Sequence, residues 1–139
     1  MRTPTPRSRR FLALALGAAS VPALAVTASA APTDLYAPHA QAAAKVRAAA
    51  NVAPVLVAAK NIESVTRGTS AGSYCVKVSD PDIDLTNSAV VATMSQNRAM
   101  ITAIPDPHPW CRNDPMTITV VITDSAGAAL DAPFTVAVL

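Results

Sequence analysis

Apolar and polar residues alternate most plainly where Met116, Ile118, Val120 and Ile122 interleave with Thr117, Thr119, Val121 and Thr123. A two-residue period sends successive side chains to opposite faces of a strand, and β-branched residues favour that state. The same period runs through Gly72-Ser73-Tyr74-Cys75-Val76-Lys77-Val78, where Tyr74, Val76 and Val78 point one way and Cys75 and Lys77 the other. Five further stretches read as strands: Val55 to Ala59, Ile62 to Arg67, Ala89 to Met94, Arg98 to Ile104 and Phe134 to Leu139. Turn chemistry separates them at Gly68–Gly72, Ser79–Asn87, Ser95–Asn97, Pro105–Pro109 and Asp124–Gly127. Short strands at such spacing predict an all-β fold, a small antiparallel β-sandwich or sandwich-like barrel of six or seven strands.

The pattern is different upstream. Residues 1–10 carry four arginines and no acid, and an apolar run from Phe11 through Val26 follows. Small residues at Ala28 and Ala30 then match the exit read by a signal peptidase. Residues 1–30 are therefore expected to be a signal peptide, cleaved between Ala30 and Ala31. The competing reading is an uncleaved anchor, which Gly17, Pro22 and the A-x-A exit disfavour. Ser8-Arg9-Arg10-Phe11-Leu12 also approaches the twin-arginine export pattern, so the export route stays open. Residues 31–51 read as an alanine-rich leader, either flexible or a short helix, because alanine is the strongest helix former. Residues 52–139 then form the β domain.

Loss of the signal changes the charge. The 139-residue chain has a formal charge of +2, but without its first 30 residues it keeps 109 residues, seven bases and nine acids, and so −2. No basic patch remains to hold phosphates, which removes the electrostatic case for nucleic-acid binding. A membrane enters only through the signal segment, before cleavage. The mature aromatics are Tyr36, Tyr74, Trp110 and Phe134, so the core must be built from Val, Ile, Leu and Ala. Such a core is thin against chain entropy. Two cysteines in an exported chain read as a staple, and with only two the pairing is Cys75 to Cys111. The alternative of a reactive or metal-binding pair lacks a CxxC and a histidine near Cys75.

Ser64-Val65-Thr66, Gly72-x-Tyr74-x-Val76-x-Val78, Val90-Val91-Ala92-Thr93 and the ending Asp131-Ala132-x-Phe134-x-Val136 together resemble a family of small exported actinobacterial β-domain proteins. The resemblance covers Lys60 to Leu139. Its motifs are strand and turn residues, so it implies a fold and no catalytic or binding residue.

Three groups of residues are candidates for chemistry. Gly68-Thr69-Ser70-Ala71-Gly72 matches the G-x-S-x-G nucleophile elbow, and His108 follows in the expected order. An elbow needs a strand before the serine and a helix after it, whereas Ser73 to Val78 is strand-like. Asp80, Asp82 and Asp84 have the 1, 3, 5 spacing of a calcium loop, but Leu85 and Val91 stand where that loop needs glycine and glutamate. Pro105-Asp106-Pro107-His108-Pro109-Trp110-Cys111 is a stiff loop carrying His108 and Trp110, a candidate ligand surface for a sugar or peptide. The bland reading is that Trp110 packs over the disulfide. These observations predict a secreted, extracellular, non-enzymatic β domain that needs no cofactor and acts as a binding or interaction module. The alternatives are a small hydrolase using Ser70 and His108, or a structural protein self-associating at the cell surface through strand edges such as Phe134–Leu139.

Overall fold

The computed structural model describes residues 30–95 and 99–139. Residues 1–29, which hold most of the expected signal peptide, and residues 96–98, which hold part of the expected turn and Arg98 at the start of the expected strand, lie outside the described residues. Among the described residues there are nine strands: β1 (Thr33–Asp34), β2 (Ala42–Arg47), β3 (Val55–Lys60), β4 (Ile62–Arg67), β5 (Ser73–Val78), β6 (Val90–Met94), β7 (Met100–Ile104), β8 (Thr117–Thr123) and β9 (Phe134–Val138). They form a five-stranded sheet, ordered β1-β3-β2-β9-β6, and a four-stranded sheet, ordered β4-β5-β8-β7. Every pairing is antiparallel except β1 with β3. The all-β sandwich is thus present, and all seven strands expected from the alternation occur.

The chain crosses between the sheets four times, from β3 to β4, β5 to β6, β6 to β7 and β8 to β9. Between β3 and β4 the turn is made at Asn61, which adopts φ 52°, a left-handed conformation that asparagine tolerates better than most side chains. Between β6 and β7 the chain passes from the outer edge of one sheet to that of the other. Strands β6 to β9 then follow one another in the spatial order β9-β6-β7-β8, a Greek key wrapped across both sheets.

Tyr74, Val76 and Val78 of β5, Ile118, Val120 and Ile122 of β8, and Phe134, Val136 and Val138 of β9 are buried between the sheets. Tyr74 and Phe134 meet across the sandwich with ring centroids 5.2 Å apart. Short aliphatic side chains supply the remainder, as the composition requires. Ile83 and Leu85 of the acidic loop are also buried, so that loop closes part of the core and is not merely a solvated turn.

The alanine-rich segment departs from expectation. Residues 42–47 are neither a helix nor a spacer but β2, an inner strand between β3 and β9. Ala42, Ala44 and Val46 are buried while Lys45 and Arg47 are exposed, a strand period that helix propensity alone does not predict. Alanine leaves little side chain to displace, and the full ladders to Val55–Lys60 and to Phe134–Val138 outweigh a per-residue preference of about 0.7 kcal/mol or less. The β domain therefore begins well before residue 52. A second correction concerns Phe134–Val138, which pairs with β2 on one side and β6 on the other and so offers no free edge for self-association.

Candidate functional site

The proline-rich loop lies on the outer face of the four-stranded sheet. Cys75, on the face of β5 opposite Tyr74 and Val76, bonds to Cys111 at a Cα separation of 5.5 Å. Inside the loop, Pro109–Cys111 forms a single 3₁₀ turn. Its cap is His108, whose Nδ1 accepts from the Trp110 N–H (3.3 Å) and whose carbonyl accepts from the Cys111 and Asn113 N–H groups (2.9 and 3.0 Å). The His108 ring meets the Trp110 ring edge-on at 4.8 Å. Arg112 and Asn113 follow in left-handed conformations, φ 60° and 54°. The Thr69 N–H donates to the Trp110 carbonyl (3.0 Å), tying the β4–β5 turn to the loop. A Cβ on Gly68 would stand 3.2 Å from that carbonyl and collide with Ser73, so only glycine lets the two segments approach this closely.

Covering this face has a cost that alternation does not disclose. Thr117 and Thr119 point away from the core yet are buried, because the loop takes the place of water above them. Among the described residues the Thr119 Oγ1 has no hydrogen-bond partner.

Between the loop and β4–β5 runs a groove of about 410 Å³. Thr66, Thr69, Lys77, Trp110, Arg112 and Asp114 line it, and the two cysteines form part of its floor. Lys77 and Asp114 face each other at 3.2 Å. The Met116 N–H, and after it the Lys77 ammonium, hold the Asp114 carboxyl below the usual carboxylate range. Asp114 in turn raises the Lys77 ammonium above its ordinary value. The groove therefore combines hydroxyls, an indole, one paired charge and the guanidinium of Arg112.

A second, more apolar cavity of about 650 Å³ opens at one end of the sandwich between the 51–54 loop and β4. Arg67 and Asp131 occupy its wall. Arg67 donates to Asp131 (2.7 Å), to the Ala49 carbonyl (2.6 Å) and twice to the Val52 carbonyl, and it lies over the Tyr74 ring at 5.6 Å. The Tyr74 hydroxyl donates to the same Asp131 oxygen. Arg67 and, less strongly, Tyr74 hold the Asp131 carboxyl low, while burial and then Asp131 push the Tyr74 hydroxyl up. This network ties together the β2–β3 loop, β4, β5 and the segment leading into β9. Sequence reasoning overlooked it. Its one available signal is that a tyrosine expected to be fully buried must find a partner for its hydroxyl.

The other sequence candidates are used differently. Gly68–Gly72 is the turn of a hairpin between β4 and β5, with Gly72 at φ 67° and a strand following, so the strand-to-helix geometry of a nucleophile elbow is absent there. The Ser70 carbonyl accepts from the Ser73 N–H (3.2 Å) and hydroxyl, and neither Ser70 nor His108 lines the groove. No hydrogen bond joins Ser70 to His108 among the described residues. Asp80 accepts from the Asp82 N–H (3.0 Å). Asp84 caps the 3₁₀ turn Leu85–Asn87, accepting from Thr86 and Asn87, which keep its carboxyl low. Among the described residues no three His, Cys, Asp or Glu side chains converge as a metal cluster. Ala30 and Ala31 are exposed and lead into β1. Compared with protein-family models, curated proteins and solved structures, the chain matches none.

Proposed function

We propose that the chain is exported, and that its mature part is a non-enzymatic binding domain at the cell exterior. Its ligand surface is the groove beside Trp110. The observation that carries this reading is the double fixing of the loop, by the Cys75–Cys111 bond and by the Thr69–Trp110 hydrogen bond, over a polar groove. A recognition surface gains affinity when its loop is ordered before the ligand arrives. The basic head, apolar middle and A-x-A exit of residues 1–30 support export, as does a disulfide-stapled domain of this size. Two results test the reading together. The full-length chain, expressed in a secreting host, should appear in the medium with Ala31 as its first residue. The mature protein should co-sediment with insoluble cell-envelope material, and Trp110→Ala should reduce the bound fraction at least tenfold. Retention in the cell, or sedimentation indifferent to Trp110, would overturn it.

A further inference from the structure

We infer that the groove binds a carboxylated saccharide, with a sugar ring against Trp110 and its carboxylate on Arg112. This deepens the reading above and rests on it. Four observations point to the ligand class. The accessible lining carries short hydroxyls, Ser64 and Thr66 on β4 and Thr69 in the turn, which donate and accept as sugar hydroxyls require. Trp110 contributes an indole, whose face suits the C–H side of a pyranose ring. The groove is walled by side chains of β4, β5 and β8 that share one face of the sheet, so a ligand there meets side-chain groups rather than the backbone ladder. Its volume falls within the range of small-ligand sites.

The charges select among saccharides. Lys77 is neutralised by Asp114 at 3.2 Å. Arg67 touches the groove, but its guanidinium is committed to Asp131 and to the Ala49 and Val52 carbonyls. Arg112 is exposed and makes no side-chain hydrogen bond or ion pair among the described residues. It is held in place by the 3₁₀ turn, its own N–H bonding to the Pro109 carbonyl (3.1 Å). One uncommitted planar cation matches one planar carboxylate, which it can bind through two parallel hydrogen bonds. A polyphosphate would need several such cations, and the lining supplies one.

The test is calorimetric titration of the intact, oxidised mature protein with two probes of equal length, an oligogalacturonate and a neutral chito-oligosaccharide. The oligogalacturonate should bind at least tenfold more tightly. Arg112→Gln should erase that preference while leaving the melting temperature in place. Trp110→Ala should abolish binding of both, and Trp110→Phe, which keeps a ring in the loop, should retain the preference for the acid. Lys45→Gln, on the other sheet, should change nothing. Equal affinity for the two probes, or an acid preference that survives Arg112→Gln, overturns the inference. If neither probe binds while envelope sedimentation still depends on Trp110, the saccharide assignment falls and the binding-domain reading stands. If sedimentation also fails, both fall.

Discussion

Asp131 is the residue on which most of one end of the sandwich depends, since a single carboxylate oxygen receives both Arg67 and the Tyr74 hydroxyl. Its folded carboxyl titrates below the unfolded value of about 3.9, so its contribution is complete above that pH and fades as the pH falls through the lower folded value. Tyr74 behaves in the opposite sense. Its folded hydroxyl titrates above the unfolded value of about 10, so its contribution is present below that pH and is lost at higher pH. Asp131→Asn should therefore cost about 1–2 kcal/mol at pH 7, allowing for its partial exposure. Urea denaturation should show the gap to the wild type narrowing toward pH 3. Thr119 makes the contrary case. Its buried hydroxyl is unpartnered among the described residues, so Thr119→Val should stabilise the protein by about 1 kcal/mol and raise its melting temperature. A fall in melting temperature would mean that this hydroxyl has a partner.

At the scale of elements, legibility followed side-chain size. Strands β5 and β8 announce themselves because large β-branched or aromatic residues alternate with polar ones. In β2 the same alternation is written mostly in alanine, which looks alike at inward and outward positions and favours helix in isolation. Strand β1 has two residues, too few for any period. The groove was half legible. Two cysteines dictate where the loop is tied, but plain alternation puts Ser64 and Thr66 on the side of Ile62 and does not disclose the register shift between Ile62 and Ser64. Nothing in local pattern says that the loop folds back flat over Thr117 and Thr119. Arg67 and Asp131 lie 64 positions apart, beyond the reach of periodicity. The reassignment of β2 has a direct consequence. A chain beginning at residue 52 lacks the strand that joins β3 to β9, so it should show no cooperative thermal unfolding, whereas one beginning at Ala31 should. Ala44→Leu, overfilling a buried site, should cost about 1–3 kcal/mol in urea denaturation.

For the whole molecule the disulfide has two tasks. It closes a loop with a sequence separation of 36, which the chain-entropy model values at roughly 3–4 kcal/mol. Replacing Cys75 and Cys111 by alanine should lower stability by about that amount. It also holds the Trp110 loop against the sheet, turning a scaffold face into a groove. The central claim is that this groove, and not the apolar cavity at the Arg67–Asp131 end, receives the ligand. Amide chemical-shift mapping of the ¹⁵N-labelled mature protein, titrated with solubilised cell-envelope fragments, tests it most directly. Shifts confined to Ser64, Thr66, Thr69, Lys77, Trp110 and Arg112 are predicted. Shifts centred on Val52, Val65 and Asp131, or none at all, would contradict the account.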